Sequence, residues 1–361
     1  MTLFVSQAVM AQDEGRTKLD WGDWASGLSV GAGLRASYNT GDPIGATNDF
    51  NLDNARLYVN ATGHDILGLE LNFDINNAQG FGVEAFENGE FRVLDAILKI
   101  EFGDLVNIWM GRMIAPSDRA NLSGPYFQNN WAFPYTQFGY YNIFQGRDDG
   151  VTLYGDTGDD VQFKWSIGVF EGHNNVAGED DVWVVGRAVL NFLDKEEGYF
   201  NQSTYYGEKE IAAIGVSFSN QDDAHAAGAD YTAWSLDVLY ERPLDSGGVL
   251  TAEAAYYDRD DDDDAAGFGR QGEGYFLLGS YLFSDSLSIG NLEGRLQPSI
   301  RYQESDRDDP QAGDREHQVD YSLNYIIHGH SARVSLVFQD INVAGGAEDQ
   351  QNLIIGGQVR F

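Results

Sequence analysis

Cysteine is absent from this chain, and basic residues are scarce: 22 Lys and Arg stand against 57 Asp and Glu. Without cysteine there is neither a disulfide framework nor a thiolate metal site, which suits an exported protein that needs neither. The formal charge of −35 removes nucleic acid as a partner, because phosphate recognition needs a basic face. Proline occurs only 7 times and builds no linker, so the 361 residues read as one domain rather than two or three. No run of about 18 apolar residues occurs, which excludes a transmembrane helix; a membrane-crossing strand stays allowed, since its alternation hides from a hydropathy window.

What the chain does have is alternation. In the closing stretch 352–361, Leu353, Ile355, Val359 and the terminal Phe361 fall on one side of a period-two pattern, with Asn352, Gln358 and Arg360 on the other. An ending of this kind is expected of a barrel whose last strand closes against its first and anchors at an interface. The other strands agree. Leu28, Val30, Ala32, Leu34 and Ala36 alternate with Ser29, Gly31, Gly33, Arg35 and Ser37, and Leu57, Val59 and Ala61 alternate with Arg56, Tyr58 and Asn60. Leu67, Leu69, Leu71, Phe73 and Ile75 oppose Glu70, Asn72 and Asp74. Leu94, Ala96, Leu98, Ile100 and Phe102 oppose Asp95, Lys99 and Glu101, and Gly103-Asp104 reads as a two-residue hairpin connection. Continuing to the C-terminus gives an all-β, transmembrane antiparallel β-barrel of about 16 strands, an even number that returns both ends to the periplasm.

Loop parity is a second test. The acidic segments at 178–181, 221–223, 258–264 and 306–310 fall on external connections, and the short turns at Gly63, Gly103 and His328 on periplasmic ones. One connection departs: Leu193 to Glu210 is long yet periplasmic by parity, which points to a missed helix or a misplaced strand. Residues 1–11 are apolar and end in small side chains, the expected back half of a secretory signal peptide, leaving 12–361 as a single outer-membrane barrel domain. Tyr38, Tyr154, Trp165, Phe192, Tyr240, Tyr256, Phe283, Tyr302 and Phe361 fall near strand ends close to the outward parity, as aromatic girdles at the headgroup levels do.

The longest connection, from about Arg112 to Asp149, carries Gly111-Arg112-Met113 followed by Pro116, an aromatic run through Tyr126, Phe127, Trp131, Phe133, Tyr135, Phe138, Tyr140 and Tyr141, and then Gly146-Arg147-Asp148-Asp149-Gly150. So many aromatics cannot sit in water without a large exposed apolar patch, so this third external loop is expected to fold back into the barrel. With these segments the chain resembles the phosphate-selective porin O and P family. The resemblance implies a sixteen-stranded homotrimeric porin whose third loop constricts the pore and whose arginines draw in oxyanions. It makes Arg112, Arg119 and Arg147 the candidates for the constriction. The lysine-rich cluster that phosphate-specific members lead one to expect is missing.

By parity the pore wall carries the cations Arg35, Arg56, Lys99, Lys164, Arg187, Arg295, Arg301, Arg333 and Arg360, interleaved with the anions Glu70, Asp74, Asp95, Glu101, Asp237, Glu253 and Asp320. Guanidinium donors suit oxyanions, while interleaved charges suit a general or cation-preferring porin equally. Asp260, Asp262 and Asp264 offer carboxylates for calcium or magnesium at an external loop, without the fixed spacing of a dedicated site. His328 and His330 read as a tight turn rather than a metal pair. No cofactor is called for. The expected protein is an outer-membrane porin of a Gram-negative bacterium, embedded in lipid and lipopolysaccharide, that passes small inorganic or organic solutes. An enzyme would need a nucleophile with a positioned base, which the six His do not suggest. A soluble β-binding or adhesion protein would need a second sheet over each apolar stripe.

Overall fold

In the computed structural model the described residues are 17–19, 25–42, 49–63, 65–75, 91–137, 146–172, 181–224, 228–261, 271–307, 315–345 and 348–361. The signal-peptide expectation, Asp262, Asp264, Phe138, Tyr140 and Tyr141 lie outside them.

Period-two alternation makes strands, and eighteen among the described residues form one sheet. They are β1 (Thr17–Leu19), β2 (Ala25–Asp42), β3 (Asp49–Gly63), β4 (Leu67–Ile75), β5 (Phe91–Glu101), β6 (Asn107–Ile114), β7 (Arg147–Thr157), β8 (Gln162–Phe170), β9 (Trp183–Asn191), β10 (Ile211–Gln221), β11 (Tyr231–Pro243), β12 (Val249–Asp261), β13 (Gly272–Leu282), β14 (Ser286–Ile289), β15 (Leu292–Arg307), β16 (Arg315–His328), β17 (Ala332–Val343) and β18 (Gln350–Arg360). Neighbours pair antiparallel throughout. β13 and β14 both lie on β15 and share one wall position. β18 returns to β2, from Gln351 opposite Asp42 to Arg360 opposite Gly33. A reciprocal pair, Ala32 N to Phe361 O at 3.1 Å and Phe361 N to Ala32 O at 2.8 Å, finishes the seam. β1 covers the edge of β2 at Leu28–Val30, where β18 no longer reaches. The wall is therefore a closed 16-strand barrel, as the alternation implied.

Closure removes every sheet edge, and the pleat then sends alternate side chains to lipid and lumen. Leu34, Leu98, Ile167, Val216, Leu236, Leu277, Ile300, Leu336 and Ile355 lie exposed on the outer face. An apolar belt on so many strands is the surface a bilayer covers.

Three expectations fail locally. Leu94 turns inward and is 1% exposed, because a bulge pairs Asn72 with Asp95 but Phe73 with Val93, giving Val93 the outer place. Tyr154 also faces inward, stacking edge-on against Trp109 with ring centroids 5.0 Å apart, so it belongs to no girdle. The connection at Gly103 is longer than two residues: β5 ends at Glu101 and β6 begins at Asn107, with Asn107 Nδ2 donating to Gly103 O at 2.7 Å to close the turn.

Candidate pore constriction

The lumen is filled from both ends. From outside comes the third loop, whose residues 115–120 are all buried. Asp118 caps the short helix α1 (Arg119–Ser123) by accepting from Asn121 N at 2.9 Å, and Tyr257 of β12 donates to its other oxygen at 2.7 Å. Gly124 ends the helix with φ 62°, a left-handed value that favours glycine. Beyond it the main chain runs without regular structure, and wall or loop donors take up every carbonyl from Tyr126 to Phe133. Gln358 donates to Tyr126 O, Ser203 N to Phe127 O, Arg333 to the oxygens of Gln128, Asn129 and Asn130, Arg35 to Trp131 O, and Arg301 to Ala132 and Phe133 O. Buried carbonyls left without donors would be costly, so these wall arginines act here as a clamp.

Two wall glycines make room for the aromatics of this loop. A Cβ on Gly33 would lie 2.7 Å from the Tyr126 ring, and one on Gly356 2.6 Å from the Trp131 ring. Gly357, one residue on, faces outward with open space around it. Gly356→Leu is therefore expected to destabilise the barrel by about 1–3 kcal/mol through overpacking. Gly357→Leu is expected to be neutral. Chemical denaturation of the two variants checks the difference.

From the periplasmic side comes residues 192–210, the connection that broke the parity rule. Its base continues the hairpin, with Phe192 N to Ala212 O and Asp194 N to Glu210 O both at 2.8 Å. Between these ends the chain turns up into the lumen, where Tyr199, Asn201, Ser203, Thr204 and Tyr205 are buried. The aromatic argument applied to the third loop holds for Tyr199, Phe200, Tyr205 and Tyr206 as well, and that signal would have placed this segment inside the barrel.

The two segments meet at Arg119. Its guanidinium grips Glu196 with two hydrogen bonds of 2.6 and 2.7 Å, and also donates to Gln202 O at 2.9 Å. Arg119 is 0% and Glu196 1% exposed. Tyr205 adds a bond to Glu196 at 2.5 Å, and Tyr199 OH donates to Ile114 O at 2.8 Å. Burial alone would raise the Glu196 carboxyl, but the Arg119 guanidinium overrides it and holds the group at about 2. The ionised carboxylate thus stabilises the junction above the ordinary glutamate range, and that contribution fades only as the pH falls towards about 2. His330, in the turn between β16 and β17, sits beside the junction, its Nε2 2.9 Å from Thr204 O and its ring against Phe127 and Tyr206.

The arginines assigned by sequence to the constriction separate. Arg119 lies buried where the two inserted segments meet. Arg147 lines the lumen, bonded to Asp95 at 2.8 Å. Arg112 does not reach the lumen: Asn107, Trp109 and Met113 take the inward parity of β6, which leaves Arg112 outside, forked onto its cross-strand partner Asp149 at 2.8 and 2.9 Å. Four of the nine wall cations are neutralised by wall anions, Arg56 by Asp74 at 2.6 Å, Lys99 by Glu70 at 2.5 Å, Arg187 by Asp237 at 2.5 Å and Arg301 by Asp320 at 2.7 Å. Arg295 stays at the periplasmic rim, donating to Phe283 O and Gly247 O. Lys164 donates to Phe200 O at 3.1 Å. Among the anions, Glu101 accepts from Trp109 and Tyr154, and Glu253 from Ser203. Arg360 packs 4.5 Å from the Phe127 ring. Asp260 stands exposed near the end of β12, 3.5 Å from Gln271 Nε2, and no group of three or more possible metal ligands occurs among the described residues.

The same architecture occurs in solved outer-membrane proteins. An anion-selective porin from Comamonas acidovorans superposes with a TM-score of 0.60 at 13% identity, over 92% of this chain and 99% of its own. The outer membrane channel DcaP of Acinetobacter baumannii gives 0.58 at 17% identity over 95% and 99%. Salmonella typhi OmpF, solved with daunomycin, gives 0.60 at 12% identity over 96% and 100%. The fold is that of bacterial outer-membrane porins. No family model and no curated protein sequence matches the chain.

Proposed function

We propose that this protein is a passive porin of the bacterial outer membrane that passes small hydrophilic solutes and favours anions. The observation that carries the anion preference is a row across three adjacent strands, where Arg333 of β17 faces Gln358 of β18 and Gln358 faces Arg35 of β2. Arg35 and Arg333 form no ion pair with a carboxylate among the described residues, and the oxygens of the third loop occupy their donors instead. Displacing the loop hands a migrating oxyanion the same donors, in the forked geometry guanidinium offers. The narrower phosphate-selective O and P reading draws support from this row and from the Gly111-Arg112-Met113 and Gly146–Gly150 segments. Assembly as a trimer is part of the reading, since Vibrio cholerae OmpT, which shares the architecture at 12% identity, has been solved in a trimer form. Passive diffusion calls for neither a catalytic group nor a cofactor.

The charge of −35 favours a second reading, a cation-preferring porin governed by its acidic groups. Reversal potential across a potassium chloride gradient decides between them. Anion selectivity that is lost in Arg35→Gln/Arg333→Gln and kept in Arg112→Ala is the expected result. Cation selectivity unmoved by the double substitution would establish the second reading.

A further inference from the structure

Between the inserted periplasmic segment and the wall lies a cavity of about 10 Å³, room for one water-sized particle, lined among others by Lys164, Arg187, Asn201, Ser166, Tyr154 and Tyr199. What distinguishes it is a surplus of donors. Both terminal nitrogens of Arg187 are spent on Asp237, at 2.5 and 2.9 Å, and its Nε finds no partner. Asn201 Nδ2 finds none either. Lys164 gives one bond, to Phe200 O, and pairs with no carboxylate within 4 Å among the described residues. These three side chains are 6%, 2% and 5% exposed.

The phenol and carboxylate oxygens nearby are already claimed. Tyr154 and Tyr199 turn their hydroxyls to Glu101 and to Ile114 O. Glu196 is held by Arg119 and Tyr205, and Asp237 by Arg187 and Arg119. Asp156, opposite Lys164 in the strand register, forms no ion pair with it. No Asp or Glu lines the cavity. An ammonium with one carbonyl acceptor and no counter-charge, beside two N–H groups with no acceptor, is costly to bury, and an anion small enough for the space lowers that cost.

We propose that this cavity is a binding site for a small monoatomic anion such as chloride, held by Lys164 and Arg187 of the wall and Asn201 of the inserted segment. Because its ligands come from both the wall and the inserted segment, the anion fastens the segment in place, independently of which solutes the pore passes. Crystals grown in sodium bromide test the site directly. Anomalous scattering at the bromine edge is expected to show one ion in contact with Lys164 Nζ, Arg187 Nε and Asn201 Nδ2. In detergent, the melting temperature is expected to rise with sodium chloride and not with sodium gluconate at equal ionic strength. Lys164→Met, or Asn201→Ala if the first variant does not fold, should raise the half-saturating chloride at least tenfold, whereas Lys164→Arg should preserve the response. Only water at the cavity in bromide crystals, or equal melting temperatures in chloride and gluconate, would overturn the proposal.

Discussion

Replacing residues 195–209 with a short glycine-containing turn is expected to give a folded barrel whose single-channel conductance is several-fold larger than that of the intact chain. The barrel should survive because the ends of the excursion are already hydrogen-bonded as a hairpin at Asp194 and Glu210, so a tight turn closes them without strain. Conductance should rise because the segment fills the lumen: Glu241 and Glu253 point inward from the wall, are 0% and 4% exposed, and accept hydrogen bonds from Thr204 and Ser203 of the segment. Current needs water beside these groups. Removing Tyr199, Ser203 and Tyr205 admits it from the periplasmic side, and planar-bilayer recording reads the change.

The second large effect belongs to the junction itself. Glu196→Gln or Arg119→Met leaves half of a fully buried pair without its partner, a cost of about 3–5 kcal/mol. At about 1.4 kcal/mol per tenfold, that weakens seating of the two segments by at least about a hundredfold. Each single variant is expected to open far more often than the intact protein. Arg119→Met/Glu196→Leu removes both charges, a replacement that is commonly neutral in a buried site, so the double variant is expected to close again. A double variant as open as the singles would mean that the pair does not act as the latch.

Much of this architecture is legible in the chain, because a lipid-facing wall is written residue by residue. Val30, Leu34, Leu98, Ile355 and Val359 take the outer face because the pleat allows no other arrangement once Arg35, Lys99 and Gln358 point inward. The inward fold of the third loop followed from its aromatics. Bulges stay invisible to a strict period of two, which is why alternation alone puts Leu94 on the outer face. Arg112 was misplaced for a different reason: a loop-border arginine looks alike in sequence whether its strand ends one residue earlier or later, and one residue reverses the face. The inserted periplasmic segment shows itself in its length and in its aromatics, but where it docks is not legible, since its partners Arg119, Glu253 and His330 lie far away in sequence. Pairing of lumen charges is likewise set by register, which alternation does not encode.

Closure of the pore at the meeting of the two inserted segments is the central claim, and a reversible cross-link tests it most directly. Ser203 N donates to Phe127 O at 3.2 Å, which brings the two main chains to a separation a disulfide can bridge. The chain has no cysteine of its own, so Phe127→Cys/Ser203→Cys yields a single unambiguous bond. The expected result is conductance abolished by oxidation and restored by a reducing agent. Undiminished current through the oxidised, cross-linked protein would contradict the account, because solute would then pass without the two segments parting.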